Sequence, residues 1–200
     1  MQRSLILMVK RPVAGAVKTR LAKTIWTAEA LRFYRTSLAD TMRRLGRDPR
    51  WRLVLAVAPE TAVNDATWPR HLSRMAQCRG GLGEKMQGAI DAVPTGPALI
   101  IGSDIPGITG AEIWSAFQAL GRTDVVIGPS PDGGYWLIGS RRLPRSMRLF
   151  PKPVRWSTEY TLEDTVAGLA GATVSFINER ADVDTEAEWR AWRRGDYSAN

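Results

Sequence analysis

Four short stretches carry most of the residues that could do chemistry in this chain. In ALIIGSDIPGIT (98–109), a run of four apolar residues ends and Asp104 soon follows, between Ser103 and a Pro106–Gly107 turn. A short apolar run bounded by Gly and Pro reads as a buried strand. Asp104 then lies just past the strand's carboxyl end, where an open parallel α/β sheet binds its ligands. The plainer alternative is an aspartate that shapes a turn. KRPVAGAVKTRLA (10–22) holds Lys10, Arg11, Lys18 and Arg20 among small residues, with no acid. Small residues let backbone N–H groups approach an anion, and the cations neutralise it. The loop fits neither a P-loop nor a G-x-G-x-x-G fingerprint. PSPDGGYW (129–136) brings Asp132, Gly133 and Gly134, although Asp-Gly is also a hairpin signal. In NERADVDTEAE (178–188), Asp182 and Asp184 follow a strand and precede a helix, where acids are favoured in any case. Together these loops would give one end of a sheet a cationic loop and several carboxylates. A divalent cation bridging carboxylates and a diphosphate would use that set.

These loops need a scaffold that brings them to one edge, and the pattern between them supplies it. SLILMV (4–9), RLVLAVA (52–58), ALII (98–101) and DVVIG (124–128) read as strands. Helices are predicted over 27–46, 82–93 and 109–121, the last opening on a capping box, Thr109 to Glu112, and closing on Gly121. The resulting β-α-β-α-β-α-β order predicts a mostly parallel sheet with helices on both faces and right-handed crossovers. Beyond residue 128 the expectation is a turn, a strand YWLIG (135–139), a loop feeding a helix over 155–171, a strand over 173–177, and a last helix over 185–195 capped by Thr185 and Glu188. The Pro- and Arg-rich piece 141–155 reads as a flap or a surface excursion.

Two hundred residues, 44% of them hydrophobic, fit a single domain over 1–200 with a sizeable core. The lone Cys78 rules out an internal disulfide and a cysteine zinc site, and reads as a buried or half-buried thiol. The lone His71 sits in WPRHLSR with no nucleophile signature nearby, which argues against a Ser/His/Asp triad. The net charge of +8 suits anionic partners, but the cations are scattered and no nucleic-acid-binding signature appears. Phosphates are therefore the expected partner, rather than nucleic acid. No run reaches the length of a membrane span. The opening MQRSLILMVKRP reads as a first strand of a cytoplasmic protein rather than a leader, because Lys10 and Arg11 cut the apolar run short.

Six segments then resemble one known family: KRPVAGAVKTRL, GGLGEKM, GSDIPGIT, GPSPDGGYWLIG, RWSTEYTLEDT and DVDTEAEW, in order along nearly the whole chain. They look like a bacterial family long catalogued as a domain of unknown function and now commonly labelled a GT-A-type glycosyltransferase. It is related to 2-phospholactate guanylyltransferase and to molybdenum-cofactor nucleotidyltransferases. The resemblance implies a Rossmann-type GT-A sandwich of the nucleotide-diphospho-sugar transferase kind. It also implies Mg²⁺ or Mn²⁺ as cofactor. By the same resemblance, Lys18 and Arg20 face the donor phosphates, with Lys10 and Gly15 shaping their loop. Leu82, Gly83 and Glu84 lie near base and ribose. Asp104 is the principal metal ligand and Asp184 a second one. Asp132, Gly133, Trp156 and Ser157 form the acceptor side. Departures from the usual pattern fall at Ala14, Ile105 and Glu186, and none removes a ligand.

The function expected is transfer of a sugar from a nucleotide sugar to a small hydroxyl acceptor, with Asp132 as general base. The alternative is nucleotidyl transfer from an NTP to a phosphorylated or acidic acceptor, suggested by Asp-x-Pro at 104–106 where many glycosyltransferases carry Asp-x-Asp. A non-catalytic nucleotide- or nucleic-acid-binding protein is the alternative of another class. The acceptor wall separates the first two, because an anionic acceptor needs cations there; Arg155 is the only strong candidate within the segments that form it, with Lys152 and Arg141 close in sequence.

Overall fold

The structure is a computed structural model that describes residues 2–143 and 147–196. Seven strands form one sheet: β1 Ser4–Lys10, β2 Arg52–Ala58, β3 Ser73–Ala76, β4 Ala98–Ile101, β5 Val125–Pro129, β6 Tyr135–Ser140 and β7 Val174–Phe176. Five α-helices accompany them: α1 Thr27–Leu45, α2 Leu82–Ala92, α3 Gly110–Ala119, α4 Thr161–Gly168 and α5 Glu186–Arg194. The strand order is β3-β2-β1-β4-β6-β5-β7, so the strand ending before Asp104 is the middle one. All pairings are parallel except the two made by β6, which runs antiparallel between β4 and β5. This is the mostly parallel α/β sheet that the sequence predicts.

The central strands read as unbroken apolar runs because both faces are covered. In β1, Leu5, Leu7 and Val9 face one layer and Ile6 the other. The register Leu5–Leu53–Leu99 carries that alternation across the sheet. Tyr34, Leu38 and Met42 of α1 and Ile113 and Phe117 of α3 cover the first face. Met86 and Ile90 of α2, with Leu162 and Val166 of α4, cover the second. Helix α5 belongs to a separate small cluster, in which Trp192 meets Phe33 of α1 edge-on at 4.8 Å.

Strand β3 is absent from the sequence reading. Its residues, SRMA, are few, partly polar and only partly covered, so no period marks them; backbone pairing to β2 makes the strand. The β5–β6 hairpin has a direct consequence for the site. Because β5 ends at Pro129 and β6 returns from Tyr135, the Asp132 turn falls at the same sheet edge as Asp104. In the stretch 141–155, residues 144–146 lie outside the described residues. Leu149 is fully buried, and its N–H donates to Gln87 Oε1 at 2.8 Å, so that end is anchored on α2. Cys78 is exposed rather than half-buried, because it stands on the loop between β3 and α2. No helix among the described residues is long and apolar enough to cross a membrane.

Candidate functional site

A cavity of about 430 Å³ opens at the carboxyl ends of β1 and β4 and the amino end of β6, bounded by the loops singled out from the sequence. At one end, Asp104, Asp182 and Asp184 converge, with one oxygen from each lying within 4.8 Å of the others. The Lys18 ammonium sits among them, 2.7 Å from Asp184 Oδ1, 3.2 Å from Asp104 Oδ2 and 3.9 Å from Asp182 Oδ2. Its side chain is only 4% exposed, although it comes from a surface loop.

Several local devices produce this convergence. Asp182 and Asp184 flank Val183, which is fully buried with Leu21, Ala30 and Phe33. Leu21 ends the cationic loop and opens a 3₁₀ turn, so one apolar cluster holds both that loop and the Asp182–Asp184 segment. Lys18 itself adopts a left-handed backbone conformation, φ 47°, unusual for a non-glycine residue and found where surroundings enforce it. Tyr34 of α1 joins the ends of β1 and β4. Its hydroxyl donates to Lys10 O at 3.1 Å, accepts from Lys10 N–H at 3.0 Å and lies 3.2 Å from Ser103 Oγ. The capping boxes of α3 and α5 form as the sequence predicts, with Glu112 and Glu188 each reaching back to the cap.

The electrostatics follow from three carboxylates facing one buried ammonium. Burial alone would lower the pKa of Lys18, but Asp104 and Asp184 outweigh it and hold the ammonium above its ordinary value. Burial would raise Asp184, yet Lys18 and Arg20 keep it below the usual carboxylate range. Asp182 moves the other way. Burial pushes it up to about 7 against the pull of Lys18, with the charges of Asp184 and Asp104 adding to the rise. The cluster thus keeps surplus negative charge that its own lysine does not neutralise.

The other end of the cavity is built differently. Asp132 Oδ1 accepts from the Gly134 N–H at 3.0 Å and so shapes its own turn, while its second oxygen makes no hydrogen bond among the described residues. Around it stand Ser130, Tyr135, Trp156, Ser157, Thr158 and Thr161. Ser157 has φ 60°, a second left-handed non-glycine residue in the cavity wall. The cations proposed by position for this wall are engaged elsewhere. Arg155 grips Asp164 through two 2.8 Å bonds and lies over the Tyr160 ring, and Arg141 pairs with Asp124 at the opposite end of β5. Lys152 lines a different cavity. Among the described residues, the cations lining the main cavity are Lys10 and Lys18, both from the first loop.

The structure therefore brings Lys10, Lys18, Asp104, Asp132, Trp156 and Ser157 to one cavity, with Asp184 in the acidic cluster and Arg20 at its rim, 3.4 Å from Asp184. Other candidates stand where backbone geometry needs them. Gly133, at φ 79°, has Glu159 backbone atoms 2.1–2.5 Å from where a Cβ would sit, and Gly83 lies against the Trp156 ring in the same way at 2.7 Å. Glu84 caps α2 by accepting from the Gly81 N–H at 2.7 Å. Gly15 is a loop residue at φ 75° with open space around it. Sequence reasoning missed Tyr34, Gln77, Thr158 and Thr161 as wall residues. Asp182 and Asp184 were both legible from the sequence as carboxylates at this edge, and the structure brings both into the cluster: acid, apolar, acid in extended chain places both acids on the side opposite the buried residue.

This architecture and edge site define a class: the fold is that of nucleotide-diphospho-sugar transferases. A Desulfovibrio desulfuricans G20 protein, provisionally assigned as a nucleotide-diphospho-sugar transferase, superposes with a TM-score of 0.86 at 28% identity, over 100% of this chain and 90% of its own. The chain belongs to the family described as uncharacterized protein conserved in bacteria (DUF2064), which matches residues 41–158. Two more distant structures share the fold alone. The mannosyltransferase PcManGT of Pyrobaculum calidifontis, solved with GDP-Man and Mn²⁺, has a TM-score of 0.57 at 11% identity, covering 98% of this chain and 61% of its own. A CMP:2-keto-3-deoxy-manno-octonic acid synthetase complexed with CTP has a TM-score of 0.57 at 12% identity, with 98% of each chain covered. No curated protein matches the chain in sequence.

Proposed function

We propose that this protein is a metal-dependent glycosyltransferase that moves a sugar from a nucleotide-diphospho-sugar to a small acceptor hydroxyl. The observation that carries the choice is the acceptor wall. Hydroxyls, aromatic rings and one carboxylate line it, and the cations lining the cavity among the described residues, Lys10 and Lys18, both come from the first loop. Such a wall accepts hydrogen bonds from hydroxyls and packs on the apolar faces of a sugar or alcohol. A phosphorylated acceptor, which nucleotidyl transfer would require, finds no cation there among the described residues.

The acidic cluster fits Mg²⁺ or Mn²⁺ by its chemistry, because all three side chains offer hard carboxylate oxygens and the set carries surplus negative charge. Asp104, Asp182 and Asp184 would hold the ion, which neutralises charge on the leaving diphosphate when bound. Arg20, with a 70% exposed side chain, is available at the rim for donor phosphates, and Lys18 stands beside the same place. Asp132 takes the proton of the acceptor hydroxyl through the oxygen its turn leaves free. Trp156 and Ser157 orient the acceptor. A thermal-shift panel tests the reading. Nucleotide sugars at about 100 times their Kd stabilise a protein by ~2.7 kcal/mol, and here that gain depends on added Mn²⁺. Stabilisation by NTPs alone, with none by any nucleotide sugar, opposes the reading.

A further inference from the structure

The carboxylates of the acidic cluster come from two loops far apart in sequence, one after β4 and one before α5, and a single buried side chain spans them. Arg180 stands two residues before Asp182 and is 7% exposed. Its Nε and Nη2 donate to the two oxygens of Glu112 at 2.6 and 2.8 Å. Its Nη1 and Nη2 also donate to Pro106 O and Gly107 O, each at 3.2 Å, in the turn that follows Asp104. Glu112 is itself fixed. It accepts from Thr109 N–H and Oγ1 at 2.8 and 2.7 Å as the α3 cap, and from Asn178 Nδ2 at 2.7 Å. Asn178 O in turn accepts from Trp136 Nε1 at 2.9 Å, which ties the assembly to β6.

We infer that Arg180 is a positioning residue that sets the spacing between Asp104 and the Asp182–Asp184 pair through its fork on Glu112 and the Pro106–Gly107 turn. The inference deepens the proposed function and rests on it for its metal arm. A planar guanidinium with donors in fixed directions holds a carboxylate and two carbonyls at once, which an ammonium cannot. Lys18 cannot substitute, because it bonds the very carboxylates whose spacing is in question. Groups that hold metal ligands in place typically change metal affinity by about 10–100-fold when removed.

Removing Arg180 alone would strand a half-buried Glu112, so the informative variants are Arg180→Lys and the pair Arg180→Met with Glu112→Gln, since Gln keeps the α3 cap. Arg142→Met is the control. Arg142 is another buried arginine whose guanidinium bonds three backbone carbonyls, Val93 O, Pro94 O and Gly96 O, beyond the α2 end and away from the cavity. Amide exchange is measured on the metal-free proteins and Mn²⁺ affinity by electron paramagnetic resonance. The expected result is faster exchange in 103–108 and 181–185 and roughly tenfold or weaker Mn²⁺ binding in both Arg180 variants. The control loses thermal stability but keeps both properties. Unchanged exchange in those segments, or faster exchange with Mn²⁺ bound as tightly as in the wild type, overturns the inference. If the wild type binds no Mn²⁺, the metal reading fails by itself and the exchange arm still decides the role of Arg180.

Discussion

The two ends of the cavity hold their carboxylates in opposite ways. Asp104, Asp182 and Asp184 stand on segments pinned by the Val183–Leu21 cluster and by the Arg180–Glu112 fork, and they close around a buried ammonium. Asp132 stands on a hairpin turn that it shapes itself, with one oxygen committed to Gly134 N–H and the other without a hydrogen bond among the described residues, in a cavity that hydroxyls also line. The first arrangement fixes several charges rigidly, as binding a small hard cation requires. The second leaves one group accessible to a ligand that arrives and departs. Under the proposed function, this difference becomes a division of labour: the first end would anchor a donor through metal and phosphates, and the second would exchange an acceptor.

Substitutions at the rigid end have the largest expected effect. Asp104→Ala abolishes Mn²⁺-dependent nucleotide binding, read by calorimetry, while the circular dichroism spectrum stays native; binding equal to wild type would reduce Asp104 to a turn residue. Next comes Asp132→Asn, which keeps the turn acceptor and removes the proposed base. Turnover falls by about 10²–10⁴-fold with donor affinity retained. A loss of donor affinity instead would place Asp132 at the rigid end and erase the distinction between the two.

Arg20→Ala has a smaller, selective effect. A charged hydrogen bond contributes roughly 1.5–3 kcal/mol, so affinity for a nucleoside diphosphate falls about 10- to 100-fold and affinity for the nucleoside hardly changes. Equal losses for both ligands would remove the phosphate role.

The smallest effect is on pH dependence. Asp182, raised to about 7 chiefly by burial, must release its proton to serve a cation. Mn²⁺ affinity therefore rises between pH 6 and 8, by an order of magnitude at most. Asp182→Asn flattens that rise and lowers affinity throughout. In the metal-free protein the sign reverses. The extra proton held by folded Asp182 stabilises below the ordinary carboxylate pKa, and this contribution is lost as pH rises through about 7.

Much of this was legible in the sequence for physical reasons. Apolar runs such as SLILMV and ALII announce strands buried on both faces, and their carboxyl ends locate Asp104. Capping boxes fix the starts of α3 and α5 to within a residue. What escaped depends on contacts between distant segments. SRMA becomes a strand only because β2 offers it an edge. Lys18 has the residue type of a phosphate ligand, and nothing local shows that three aspartates surround it. Arg180 reads as one more cation of a basic chain until the fold places Glu112 against it. Gly83 and Gly133 drew attention as motif positions, but their places follow from backbone packing against Trp156 and Glu159.

The most direct test of the central claim is product analysis from a matched panel of nucleotide sugars and NTPs with Mn²⁺ and a set of hydroxyl and phosphorylated acceptors. The account predicts free nucleoside diphosphate released from a nucleotide sugar with a hydroxyl acceptor, requiring Mn²⁺ and lost in both Asp104→Ala and Asp132→Asn. Pyrophosphate released from an NTP onto a phosphorylated acceptor, with no nucleotide sugar turned over, would contradict it.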